Sequence, residues 1–299
     1  MISRTLPGTL NDRELSELKA LFEERSGIFF AELDSRVLAL CVREYMDVRR
    51  IARSDEVLRM VRGSESEYGQ LLDRVLSRDA CFFRWPAVYE WIENRLLAEL
   101  HVRKFWSVPR SVRFWSAGCA TGDEAYSLAM LLANSARLSS GWSVQILATD
   151  ISPRMISFAE RGVYSLSALR HLTPRQIQSS FARLGDQFLL KSHVRNMVSF
   201  SAMDLSGADY VGSFDCIFCL DVLAKVPENR RALVIRRFYE SLEPGGYLVL
   251  GPRDAVPGLD APMECETIGS LQICRRAVEM RIPPMGIKRH DSGEFRAIS

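Results

Sequence analysis

The chain has 299 residues, 47% hydrophobic and 25% charged, with 39 basic against 37 acidic side chains. That composition describes a folded protein of about two domains and excludes disordered and collagen-like chains. No apolar run is long enough to span a bilayer. The charges nearly cancel, so the balance makes no case for nucleic acid.

Met1 to Asn11 carries no signal-peptide core. Seven scattered cysteines, an odd number, predict reduced thiols and a cytoplasmic setting. From residue 12 to 110 the pattern is helical. Leu15, Leu18, Leu21 and Phe22 recur at helical spacing behind a cap at Asn11 or Asp12, and Gly27 ends the run. A second helix is predicted from Asp34 to about Arg53. Arg36, Arg43 and Arg50 fall seven apart on it, with Arg49 and Arg53 beside them. They form either a solvated face or a docking face for an acidic helix. Short helices follow at Ser54 to Val61 and Glu65 to Leu76. Pro86 then opens a helix over Ala87 to Leu100.

At Ser111 the period changes. Strands are predicted at Val112–Ser116, Val144–Ala148, Phe214–Leu220 and Gly246–Leu250. Helices are predicted at Glu124–Ala136, Pro153–Glu160 and Glu228–Leu242. Alternation of this kind predicts βαβ units in a parallel, doubly wound sheet. The stretch from Gly162 to Ala202 is too long for a simple crossover. With Phe188–Leu190 and Val198–Phe200 inside it, it predicts a small inserted β element around 170–200. The expected division is a helical domain over 1–100, an α/β domain over 101–276 and a disordered tail over 277–299. Cys216 and Cys219 have a metal-like spacing, but on a strand such positions face opposite ways. The four histidines share no ligand spacing, so no metal is expected.

Ligands of such sheets bind beyond the carboxyl ends of the strands. Three ends carry suggestive residues. Gly118-Cys119-Ala120-Thr121-Gly122 lets a ligand approach the backbone closely. Asp150, 32 residues after Gly118, suits two ribose hydroxyls. Asp204, with Leu205, suits an exocyclic amine and a ring edge; its other reading is a turn aspartate. That order favours S-adenosylmethionine over NAD, and Glu243-Pro244-Gly245-Gly246 fits the turn before a late strand of class I methyltransferases.

The run Trp115-Ser116-Ala117-Gly118-Cys119-Ala120-Thr121-Gly122-Asp123-Glu124-Ala125-Tyr126-Ser127 resembles the signature of the CheR-type chemoreceptor glutamate methyltransferases. Ile146 to Ser152, Gly162-Val163-Tyr164, Glu67-Tyr68 with Leu71-Leu72, and Phe82-Phe83-Arg84 resemble further segments of that family. The resemblance runs from about residue 15 to 276. It implies a class I S-adenosylmethionine-dependent methyltransferase sheet with an inserted β-subdomain, preceded by an all-helical domain. It implies methyl-ester formation on glutamates of chemoreceptor cytoplasmic helices, with no nucleic acid and no membrane insertion. By the same resemblance Arg84 is the catalytic candidate and reaches the cofactor carboxylate. Glu124 meets the methionyl ammonium, Asp150 the ribose, and Asp204, Leu205, Asp221 and Val222 surround the adenine. The helix carrying Arg36, Arg43 and Arg50 faces the receptor. Several family positions differ here: Leu220, Asp221 and Lys225 stand for Arg, Asn and Tyr. Arg78-Asp79-Ala80 replaces Asn-x-Thr, and Gly251-Pro252-Arg253-Asp254-Ala255 replaces G-H-S-E-S. Two other functions stay open: a catalytically weak S-adenosylmethionine-binding adaptor or sensor, and a methyltransferase of another protein.

Overall fold

A computed structural model describes residues 10–26, 28, 30, 35–138, 141–207, 212–254 and 262–278. Gly27, Asp34 and all of the expected tail except Ala277 and Val278 lie outside them. The chain opens with four helices: α1 (Asp12–Ser26), α2 (Ser35–Arg49), α3 (Ser54–Gly63) and α4 (Glu65–Leu76). Asn11 caps α1 in a reciprocal pair, accepting from the Glu14 N–H at 2.9 Å while its own N–H donates to the Glu14 carboxylate at 2.8 Å. Ser64 caps α4. The apolar stripes of these helices close on Leu18, Phe22, Leu38, Val57 and Leu71, which form a core of their own. α2 ends earlier than the sequence suggests. Arg50 turns left-handed at φ 56° and lies just beyond it.

Next come α5 (Pro86–Trp91), a π-helical turn over Ile92–Leu96, and α6 (Leu97–Lys104). Their apolar faces join the core of the sheet that follows. That sheet and its crossovers are β1 (Arg110–Ala117), α7 (Asp123–Asn134), β2 (Trp142–Asp150), α8 (Pro153–Arg161), β3 (Val163–Ser165), α9 (Pro174–Ser180), β4 (Phe181–Leu184), β5 (Gln187–Leu190), α10 (Ser192–Arg195), β6 (Val198–Ala202), β7 (Phe214–Cys219), α11 (Glu228–Ser241), β8 (Leu242–Leu250), β9 (Met263–Ile268) and β10 (Leu271–Arg276). The main sheet has the order β6-β2-β1-β7-β8-β10-β9.

Its first five strands are parallel, and β10 and β9 add antiparallel at the edge. The expected parallel, doubly wound sheet is thus present over five strands, and the antiparallel edge pair is an addition to it. The central β7 is buried along its whole length, as a strand covered by helices on both faces must be. Cys216 and Cys219 enter different cores on its two faces, as free thiols. The inserted sheet is β3-β5-β4. Val198–Phe200, expected in that insertion, instead pairs with β2 as the edge of the main sheet, from Ile146↔Val198 to Asp150↔Ala202. The expectation of reduced thiols fails for Cys265 and Cys274. They sit directly opposite across β9 and β10 and are joined by a disulfide.

At the lower end of β7, the fully buried Asp215 accepts from Arg103 at 3.0 Å, from Lys104 at 2.6 Å and from the Arg113 N–H at 3.0 Å. This ties α6 beneath the sheet and leaves the opposite end, above β1, β2 and β7, for a ligand.

Candidate functional site

The residues above β1 fold tightly because both backbone amides after the strand turn inward. Gly118 and Cys119 donate to the Thr149 carbonyl at 2.7 and 2.9 Å. Gly118, Ala120 and Gly122 all take positive φ, and Gly122 leads into α7. The long motif is mostly scaffolding around this loop. Trp115 Nε1 donates to Thr149 Oγ1 at 2.9 Å, and the Tyr126 hydroxyl to the Ala159 carbonyl at 2.8 Å. Tyr164, from the inserted sheet, donates to the Thr121 carbonyl at 2.7 Å. Ser127 Oγ accepts from the Phe83 N–H at 2.9 Å, which fixes the segment before α5 to α7. Phe82 packs edge-on against Tyr164 and Phe181, Phe83 turns left-handed at φ 49°, and Arg84 is thereby delivered to the loop.

One cavity collects Arg84, Gly118, Glu124 and Asp150, together with Asp204, Leu205, Asp221 and Val222. The eight residues singled out for a cofactor thus line the same space, although they come from four strand ends and from the segment before α5. Glu124, in the first turn of α7, accepts from Ser116 Oγ at 2.7 Å. Burial pushes its carboxyl up to about 7, against the Ser116 hydrogen bond and the charge of Arg84. Asp150 ends β2 and accepts from the Ala120 N–H and the Ser152 N–H, both at 2.9 Å. Burial raises its pKa as well, and these two bonds oppose the rise. The cap of α8 is Ser152, so Asp150 is left to hold the loop and face the cavity.

Asp204 takes the geometry of a turn aspartate, accepting from the Ser206 N–H at 2.8 Å and the Ser206 hydroxyl at 2.6 Å, while still bordering the cavity. Leu205 and Val222 supply apolar wall. Asp221 follows β7 at φ 59°, and its carboxylate is committed to two arginines: Arg84 at 2.9 Å and Arg253 at 3.1 Å. Burial raises its pKa, but the Arg253 hydrogen bond and both positive charges outweigh that and hold it below the usual carboxylate value. Beneath it, Asp254 is 1% exposed and accepts from the backbone N–H groups of Asp221, Ala224 and Gly251. Its carboxyl is pushed up to about 6, chiefly by burial.

Sequence reasoning did not assign roles to Asp254, Arg253, Lys225 or Asp79. The only signal was that Lys225, Arg253 and Asp254 depart from the resembling family; Asp79 gave none. It also missed Ile28 and Leu76, which carry the helical segment into the cavity wall. Arg36, Arg43 and Arg50 lie elsewhere, exposed on or just past α2. Arg49 and Arg53 are paired, with Glu67 and Asp55 at 2.9 Å each.

The donor set can be tested against a nucleoside bearing an amino-acid arm. Such a ligand needs acceptors for ribose hydroxyls, a carboxylate for its ammonium, a guanidinium for its carboxylate and apolar wall for its base. Asp150, Glu124, Arg84 and the Leu205–Val222 wall supply them. Trp85, also in the wall, has a buried Nε1–H with no acceptor among the described residues. The residues fit.

A doubly wound sheet carrying this cavity beyond its strand ends is the architecture of a class I S-adenosylmethionine-dependent methyltransferase. Residues 78–270 match the model of the CheR methyltransferase, SAM binding domain. The chain belongs to that family, and S-adenosylmethionine is its cofactor. It is 29% identical over 263 residues to a chemotaxis protein methyltransferase of Vibrio parahaemolyticus, covering 86% of this chain and 94% of that protein. It is 28% identical over 250 residues to chemotaxis protein methyltransferase 1 of Pseudomonas aeruginosa, covering 81% and 89%. Among solved structures, the N-methyltransferase NodS of Bradyrhizobium japonicum with S-adenosyl-L-homocysteine covers 67% of this chain and 96% of its own. The identity is 17% and the TM-score 0.34. Among the described residues, no group of three or more His, Cys, Asp or Glu could hold a metal, and no helix is long and apolar enough to cross a membrane.

Proposed function

We propose that the protein esterifies glutamate side chains on the cytoplasmic helices of chemoreceptors, acting in the cytoplasm. The observation that carries this reading is the single cavity uniting Arg84, Glu124 and Asp150. In it Arg84 binds the cofactor carboxylate, Glu124 the ammonium and Asp150 the ribose, while Asp204, Leu205, Asp221 and Val222 border the base. The cofactor supplies an electrophilic methyl on a sulfonium that departs as a neutral thioether. A glutamate carboxylate is already a nucleophile at neutral pH, so the chain needs no general base. Its residues position the reactants and exclude water, which favours a reaction that neutralises opposite charges. The names of the relatives support the chemotaxis setting. The test is to incubate the protein with cofactor and a receptor cytoplasmic fragment, then map added methyl groups by mass spectrometry. Methyl groups on glutamates are expected; methylation of another residue type alone would refute the reading.

The second reading, a catalytically weak cofactor-binding adaptor, draws on the Asp221 carboxylate already sitting on Arg84. It predicts measurable cofactor binding with no transfer to receptor.

Glu124 gives the site a pH dependence. Its folded pKa of about 7 lies above the ordinary 4.5. Between these values the folded protein holds a proton that the unfolded chain has lost, so this group's contribution to stability falls as pH rises through the window. Ligand binding runs the other way, because an ammonium pairs with the ionised form. S-adenosylhomocysteine affinity should therefore fall by up to about tenfold per pH unit below 7. Calorimetry from pH 8 to 5.5 checks this. Glu124→Gln should bind weakly and lose most of the slope, and a slope unchanged in that variant would assign the titration elsewhere.

The receptor-facing surface is assigned to Arg36, Arg43 and Arg50. Exposed charges steer encounter more than they add final affinity. Reversing Arg43 and Arg50 to Glu should lower receptor methylation several-fold at low salt, with S-adenosylhomocysteine affinity unchanged. The gap should shrink as salt rises, since screening acts over about 8–10 Å near physiological ionic strength. Intact methylation at low salt would make this helix a solvated face.

A further inference from the structure

Four side chains in the cavity wall form a closed ring of alternating charge. Arg84 Nη2 lies 2.9 Å from Asp221 Oδ2 and 3.6 Å from Asp79 Oδ2. Arg253 Nη2 lies 3.1 Å from each of the same two oxygens. The ring is graded from inside to outside. The Asp221 side chain is 3% exposed and Arg84 28%, whereas Arg253 and Asp79 are 51% and 52% exposed. The inner pair belongs to the cofactor assignment already made. The outer pair has no part in it.

The proposed reaction brings a second carboxylate to this mouth. It must arrive ionised, since the neutral acid is a poor nucleophile, and it must shed water to reach the methyl group. A carboxylate leaving water needs a cation. Among the described residues, the basic side chains lining the cavity are Arg84, Lys225 and Arg253. Arg84 faces Asp221. For Lys225 burial pulls the pKa down, opposed first by the charge of Asp150, so it is the least ready to add a partner. Arg253 stands at the rim. Its Nη2 serves both aspartates, while its Nε and Nη1 donate to no described acceptor. Single N–H donors thus remain on Nε and Nη1, and a carboxylate that displaces Asp79 from Nη2 completes a two-donor edge with either of them. Its bond to Asp79 is a half-exposed surface pair, the kind that adds little to stability, so exchange for another carboxylate costs little.

We propose that Arg253 is the clamp for the acceptor carboxylate, and that Asp79 is an internal carboxylate holding the place which the acceptor glutamate takes. The proposal rests on the glutamate reading above. Arg253 grips the ionised acceptor and not the neutral ester, so it favours loading of substrate and departure of product. Because the grip is strongest before reaction, it acts on KM more than on kcat.

The experiment is steady-state methylation of a receptor cytoplasmic fragment by the parent and three variants, with S-adenosylhomocysteine affinity and melting temperature measured alongside. Arg253→Ala should raise the receptor KM at least tenfold, with kcat and S-adenosylhomocysteine affinity changed less than threefold. Arg253→Lys should recover part of the loss. Asp79→Asn should lower the receptor KM, because the internal competitor is gone. A ring that merely braces the fold predicts the opposite for Asp79→Asn, with both rim variants losing activity and melting earlier. An unchanged KM in Arg253→Ala, or a raised KM in Asp79→Asn, overturns the proposal while leaving the glutamate reading intact. A parent that forms no base-labile methyl ester overturns that reading and this proposal with it.

Discussion

Gly118→Ala is expected to lower stability by about 3 kcal/mol and to abolish S-adenosylhomocysteine binding in the protein that remains folded. Gly118 sits at φ 83°, where a side chain is strained, and an added Cβ would meet Val222 Cγ2 at 2.4 Å. The left-handed backbone costs about 1–2 kcal/mol, and forcing an extra methyl into a packed site about 1–3 kcal/mol. The neighbour that must give way, Val222, is also the wall assigned to the base. A thermal melt should fall by about 6–12 °C. A variant that melts like the parent and binds normally would mean the loop relaxes freely, and that the close approach at Gly118 is not part of the site.

Asp150→Ala is expected to weaken S-adenosylhomocysteine binding by about 1.5–3 kcal/mol, the range for hydrogen bonds to a charged group. The carboxylate has two tasks. It accepts from Ala120 and Ser152, which holds the loop after β1 against the start of α8. Its remaining lone pairs face the cavity, where the ribose is assigned. Asp150→Asn separates the tasks, since an amide keeps acceptor capacity but cannot accept at both ends. Calorimetry should give Asn an intermediate loss. Affinity unchanged in Asp150→Ala would remove this residue from the site.

Which residues line the cavity was easier to read from the sequence than how the strands pair. Gly118, Asp150 and Glu124 were legible because strand ends, loops and first helical turns follow from short-range pattern, and the long motif pins them in order. The β9–β10 hairpin escaped notice because Glu264, Cys265, Glu266 and Thr267 are exposed on an edge strand, so no apolar alternation marks them. Val198–Phe200 is a strand, as its sequence predicts, but which sheet a strand joins is decided by pairing across distant segments. Here β2 is its partner, some fifty residues earlier. The charge ring was illegible for the same reason. Asp79 and Arg84 precede the sheet domain's first strand, whereas Asp221 and Arg253 follow two of its last parallel strands. Only the folded chain brings their charges within hydrogen-bonding reach. The departures from the family pattern at 221 and 253 stand far apart in the sequence, and Asp79 falls at an unrestricted position of it. In the structure they face one another, so each is compensated by the others.

The most direct test of the account is transfer of a labelled methyl group from S-adenosylmethionine to a receptor cytoplasmic fragment, followed by mild base. The account predicts label on the receptor that is released as methanol by base, and at a cofactor concentration near the parent's dissociation constant at least about tenfold less of it in Asp150→Ala than in the parent. Label that resists base, or cofactor binding at normal affinity with no label transferred, would contradict it.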